Sequence, residues 1–145
     1  QSAADLGDGM QENLGAIGDA SGGSIAFKLG NTVPVGDNPM GSAVADGEGD
    51  GDHDLAVSNH NTADISVLLN DGAGTFLLSQ TLSAEPWTYP PAAADLDSDG
   101  DLDLAVPGRA YGHILLYRND GGMFSAWATL RAGPEPQSVV VMDFD

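Results

Sequence analysis

Residues 45–57 read ADGEGDGDHDLAV and residues 94–106 read ADLDSDGDLDLAV. The two stretches superpose without a gap when the chain is slid along itself by 49 residues, and each runs from alternating acids around a glycine into an apolar segment. The register extends beyond them: Ile65 falls on Ile114 and the turn Asn70-Asp71-Gly72 on Asn119-Asp120-Gly121. After a one-residue deletion, Phe76 falls on Phe124 and Leu82 on Leu130. A fixed period of this length marks a repeat architecture.

Each unit holds four short β-favouring runs, in the first Ser42–Ala45, Leu55–Ser58, Ile65–Asn70 and Thr75–Leu82. The third run, ISVLL or ILLY, is almost continuously apolar, as in a strand covered on both faces. Gly, Asn, Asp and Pro fill the connections, and no segment sustains a helical period. Four-stranded units of about 40–50 residues predict an all-β fold, a β-propeller of four-stranded antiparallel blades that bury their faces against one another. Residues 42–90 and 91–137 are complete blades, each with an acidic loop (46–54 and 95–103), and residues 1–41 read as a degenerate blade lacking its own first strand. In that N-terminal copy Leu14–Ile17, Ser24–Leu29 and Thr32–Val35 supply strands two to four. Residues 138–145 read as the first strand of a further blade and the start of another acidic loop. About three blade equivalents result, fewer than the roughly four to eight of a closed propeller.

The chain has 145 residues and a net charge of −18, with four Lys plus Arg against 22 Asp plus Glu. Such a balance repels phosphate backbones and anionic bilayers, so neither a nucleic-acid partner nor membrane insertion is expected. No apolar stretch approaches the roughly 18 residues that span a bilayer. The absence of cysteine excludes disulfides, thiolate metal sites and cysteine nucleophiles. Because the acids are clustered rather than spread along a solvated tail, cations are the natural counter-charge.

Carboxylates about 4 Å apart repel by about 1 kcal/mol in water and about 4 at a protein surface, so five converging ones call for a cation. An all-oxygen donor set suits a hard ion, and alternate ligands around a glycine at the sixth place are how a loop wraps Ca²⁺. The second loop offers Asp95, Asp97, Asp99, Asp101 (by its carbonyl) and Asp103 around Gly100. The first offers Asp46, Glu48, Asp50, Asp52 (by its carbonyl) and Asp54 around Gly51, with the longer Glu48 loosening it. At least two Ca²⁺ sites are therefore expected. An EF-hand needs flanking helices and a bidentate Glu at the twelfth place, where Val57 and Val106 stand instead.

The stretches VADGEGDGDHDLAVSN, ISVLLNDGAGTF and AADLDSDGDLDLAVPG resemble the FG-GAP or VCBS repeats of extracellular β-propellers, including the head of integrin α subunits. The resemblance implies a calcium loop between first and second strands on one face of the propeller, partners on the opposite face, and an extracellular or cell-surface location. Two departures stand against it: the N-terminal copy lacks a complete loop, and the blades are few. The implied function is a non-enzymatic calcium-binding module for adhesion, for protein or glycan interaction, or for assembly. An accessory propeller of a secreted enzyme is the alternative. Catalysis is not expected, since none of His53, His60 and His113 has a convincing catalytic partner in the sequence, and neither a nucleophile elbow nor a phosphate-cradling loop is present. On the rim opposite the loops, His60, Trp87, Tyr89, Arg109 and Tyr111 are the candidates for partner binding.

The acidic motif occurs once more in halves: Asp143 and Asp145 at one end, Asp8 and Glu12 at the other, would complete a split site if the last strand joined another copy by strand addition. Further copies of the chain are then partners, and a closed ring or an open filament follows from the contact's symmetry. Native mass with and without chelator tests this, and a strict monomer in calcium would overturn it.

Overall fold

The structure, a computed structural model, describes residues 30–142. The chain divides into two units, Gln1–Asn31 and Thr32–Asp145, and both sheets described below lie in the second. Eight strands follow in order: β1 (Pro39–Ala45), β2 (Asp54–Asn59), β3 (Asp64–Asn70), β4 (Phe76–Ser83), β5 (Ala92–Ala94), β6 (Asp103–Gly108), β7 (His113–Asp120) and β8 (Met123–Arg131). They form two four-stranded antiparallel sheets, β1-β2-β3-β4 and β5-β6-β7-β8, each an up-and-down meander of the kind that makes a propeller blade. No helix occurs among the described residues, and no closed barrel forms.

The repeat is legible in the backbone. Both outer strand pairs carry a bulge at the same place, Val67/Leu68 and Leu116/Tyr117. Left-handed residues recur with the sequence period: Gly49 and Ser98, Gly51 and Gly100, Ala63 and Gly112, and the tips of the segments before, between and after the two sheets, Asn38, Trp87 and Glu135. Gly51 (φ 95°) and Gly100 (φ 101°) occupy a region that side chains disfavour, which is why the sixth place of each acidic loop is glycine.

The core lies between the sheets. Strand alternation sends Ala43, Ala56, Ile65, Val67 and Leu82 from one face of the first sheet onto Leu104, Val106, Tyr117 and Phe124 of the second. Polar ties cross the same seam. Tyr117 Oη donates to the Ser83 carbonyl (2.7 Å), and the Gln80 amide both accepts from Phe124 N–H (2.9 Å) and donates to its carbonyl (3.4 Å). Thr88 Oγ1, buried in the linker, donates to the Asn59 carbonyl. Because the ties use the backbone of strands already paired, they fix sheet against sheet without disturbing either ladder.

Two expected strands are absent. Residues 32–35 join no sheet, since Pro34 removes the donor that a pairing strand needs. Residues 138–142 also run unpaired, with Val140 72% exposed; a first strand is made by the second strand it pairs with, and none follows it among the described residues. The segments 14–17 and 24–29 lie outside the described residues.

Ile65→Ala, at a fully buried place, should cost about 2–5 kcal/mol in urea unfolding, whereas Tyr117→Phe should cost about 1, the worth of one hydrogen bond. Burial first, and the nearby Glu85 second, push the Tyr117 phenol up to about 12 from 10.0. The neutral phenol is thus favoured in the fold, and its contribution is full below about pH 10 and lost as pH rises through about 12. Ultraviolet titration in wild type and Tyr117→Phe isolates that transition.

Candidate metal centre

The loops 46–53 and 95–102 join first to second strand in each sheet, and a carboxylate at the equivalent position closes each. Asp103, wholly buried at the start of β6, accepts from Leu96 N–H through Oδ2 (2.9 Å) and from Asn119 N–H, at the end of β7, through Oδ1 (2.8 Å). Asp54 does the same with Gly47 N–H and Asn70 N–H (2.8 and 2.9 Å). Position nine, read from spacing as a ligand, has in both loops two oxygens that each hold a backbone N–H, so it also buttresses the loop.

The first-place aspartates shape the turn. Asp95 accepts from Ser98 N–H and Gly100 N–H, and Asp46 from Gly49, Asp50 and Gly51 N–H. Asp97 and Asp99 in turn accept from the N–H two residues on. The seventh-place side chains turn outward: Asp101 accepts from Gly121 N–H, and a Cβ at Gly72 would collide with the Asp52 carboxylate.

In the second loop, ligand atoms of Asp95, Asp97 and Asp99 lie within 4.8 Å of one another. Oxygens bound to one Ca²⁺ at 2.3–2.6 Å are at most about 4.6–5.2 Å apart, so this triad can hold a metal ion of that size. Arg118, on β7, pairs with Asp97 (2.8 Å) and Asp99 (3.0 Å). Burial still holds the Asp97 carboxyl above its usual range against the pull of Arg118, whereas the Asp101 N–H and then Arg118 hold Asp99 below. Asp46, Glu48 and Asp50 make no comparably close group among the described residues. Desolvation, then the charges of Asp50, Asp54 and Asp46, raise Glu48. His53 stands exposed beside them. The split site of Asp143, Asp145, Asp8 and Glu12 lies outside the described residues.

Asn119 links the loops. Its buried Nδ2 donates to the Gly47 carbonyl of the first loop (2.7 Å) and to the Leu102 carbonyl of the second (3.3 Å), while Oδ1 accepts from Gly122 N–H. Nothing in spacing alone marked Asn119 or Arg118. Arg118 does interrupt the run ILLY at the place where Leu69 stands in the other repeat, a signal that was available.

At the other ends of the strands, the linker tips and the β2–β3 and β6–β7 turns form the opposite rim. Trp87 O accepts from Arg109 N–H and Trp87 N–H donates to His60 O, so Trp87 is held half-exposed (51%) in its left-handed conformation. Trp87, Arg109 and Tyr111 converge on a pocket of about 420 Å³, joined by Arg131 and Glu135. His60 and Tyr89 are not among its lining residues; they stand edge to face, 5.6 Å between ring centres, and His60 Nδ1 lies 3.2 Å from the Thr88 carbonyl.

Residues 46–106 match the family described as FG-GAP-like repeat. The match runs from the first acid of one loop to the strand that follows the next. No curated protein and no solved structure matches the chain.

Asp103→Asn should destabilise the metal-free protein by about 1.5–3 kcal/mol, because an amide N–H₂ then faces a backbone N–H. Asp97→Asn should leave that stability unchanged or higher, since it removes a like charge. Parallel urea melts in chelator distinguish buttress from ligand.

Proposed function

From an FG-GAP-like repeat at residues 46–106, we propose that the chain is a non-enzymatic, extracellular propeller module that binds calcium on one rim and a partner, protein or glycan, on the other. The convergence of Asp95, Asp97 and Asp99 carries the reading. Their oxygens and the Asp101 carbonyl would hold the ion, which supplies the positive charge that a loop of five aspartates needs. The first loop, with Glu48 and less convergent carboxylates, would be the weaker site. Loops of this open kind fill where calcium is about 0.1–1 mM, which is the extracellular condition. No helix of the described residues is long and apolar enough to cross a membrane. Topology supports this division of rims, since antiparallel strands put the acidic loops at one end and the linker tips at the other.

Calcium titration tests this. Calcium at about a hundred times its dissociation constant should stabilise the fold by about 2.7 kcal/mol, with magnesium at equal concentration giving much less, and Asp97→Asn with Asp99→Asn abolishing the second site's share. Arg118→Leu, which installs the other repeat's residue, should tighten calcium several-fold by removing a competing cation. No heat of binding and no change in melting temperature on adding calcium would refute the reading.

A further inference from the structure

We propose that the pocket on the rim opposite the acidic loops binds a carboxylate-bearing saccharide, with Arg109 and Arg131 receiving the carboxylate and Trp87 and Tyr111 offering faces to the sugar. The inference rests on the module reading above, which makes this rim the partner-facing one, and it names the partner's chemistry.

The first argument is charge. The chain has only four basic residues. Lys28 lies outside the described residues, Arg118 is spent on Asp97 and Asp99, and the remaining two both line this one pocket. Two guanidiniums placed together in so acidic a molecule mark a local reversal of its field. Arg131 has no ion pair or side-chain hydrogen bond among the described residues, and Arg109 is held in place by Glu135 (2.8 Å) and by Tyr89. A guanidinium left open as Arg131 is suits a planar carboxylate, which accepts two parallel N–H bonds.

The second argument is internal to the repeat. The first blade builds the same rim from the same backbone: Asn38 and Trp87 are equivalent linker tips, and His60 N–H reaches Asn38 O as Arg109 N–H reaches Trp87 O. At the places of Arg109, Tyr111 and Arg131 the first blade has His60, Thr62 and Ser83; Ser83 pairs with Asp64 as Arg131 pairs with His113. The fold therefore does not require two arginines and a tyrosine there. The left-handed backbone at Trp87 belongs to the linker, since Asn38 and Glu135 share it, but the exposed indole on that backbone is particular to this rim.

The third argument is shape. A pocket of about 420 Å³ is at the small-molecule scale rather than that of a protein footprint. Trp87 (51% exposed) and Tyr111 (67%) present apolar ring faces, which pack against the C–H face of a pyranose. Tyr111 leans on His113, whose Nδ1 lies 2.6 Å from Glu85 Oε1, so the ring is backed by a hydrogen-bonded pair. An acidic peptide would satisfy the arginines and leave both rings in water.

The test uses the full chain in calcium, titrated calorimetrically with a tetrasaccharide containing glucuronic acid, with its neutral glucose counterpart and with an oligo-aspartate peptide. The uronate should bind and the other two bind at least tenfold more weakly. Arg131→Ser and Tyr111→Thr copy the first blade, so they are compatible with the fold, and each should weaken the uronate on the order of tenfold. Glu135→Gln, which removes the pocket's own competing carboxylate, should strengthen it. Equal binding of the neutral sugar, preference for the peptide, or weaker binding by Glu135→Gln would overturn the proposal. So would no binding of any probe by a protein that still takes up calcium and melts cooperatively; loss of the calcium response itself would instead refute the module reading.

Discussion

A carboxylate out of reach of water, with a backbone N–H on each oxygen, is the constraint on which the acidic rim depends. Asp103 stands where loop, second strand and end of third strand meet, and its two hydrogen bonds tie all three. Charged hydrogen bonds of this kind are worth more than neutral ones, and an unpaired carboxylate in the same place would not be tolerated. With Asp103 fixed, the loop has no freedom but to fold back over its own start, and Asp95, Asp97 and Asp99 are brought together by that return. The same bond positions Asn119, whose side chain grips the neighbouring loop at Gly47. Loop closure, blade geometry and blade stacking are thus one connected set of bonds, and Asp54 repeats the design in the first blade.

The two rims divide the electrostatic work. On one, acids converge and Arg118 is the nearest basic group, a partial substitute for the divalent charge the loop is suited to hold. On the other, the remaining described arginines meet aromatic residues. The seam between the sheets is apolar. This separation follows from antiparallel meander topology, in which every odd connection lies at one end and every even connection at the other.

Much of this was legible in the sequence, for identifiable reasons. The strands were readable because ISVLL and ILLY are almost continuously apolar and the turns between them are rich in Gly, Asn and Asp, and Ala43, Ala56, Ile65, Val67 and Leu82, which meet the second sheet on the seam, all fall in the runs read in the first unit. The loop's first, third and fifth places were readable from spacing. That position nine also ties the backbone was not readable, because an aspartate in register looks the same whether or not its oxygens hold backbone N–H groups. Thr32–Val35 looked extended by composition, but Pro34 denies it a ladder. Arg131 is not legible as a member of the pocket, because it lies 22 residues from Arg109 in the chain and reaches the same pocket through the β7–β8 pairing. Laying the two repeats together would have found it opposite Ser83.

The recurrence of left-handed residues at the linker tips and turns has an evolutionary consequence. Because Asn38, Trp87 and Glu135 hold one conformation with three unrelated side chains, the backbone at these points is set by the hydrogen bonds around it and tolerates exchange of what it displays. A new specificity can therefore be grafted onto one blade without renegotiating the sheet beneath it. Divergence after duplication then proceeds rim by rim, much as loop variation does on other rigid scaffolds, while the opposite rim stays under a separate selection.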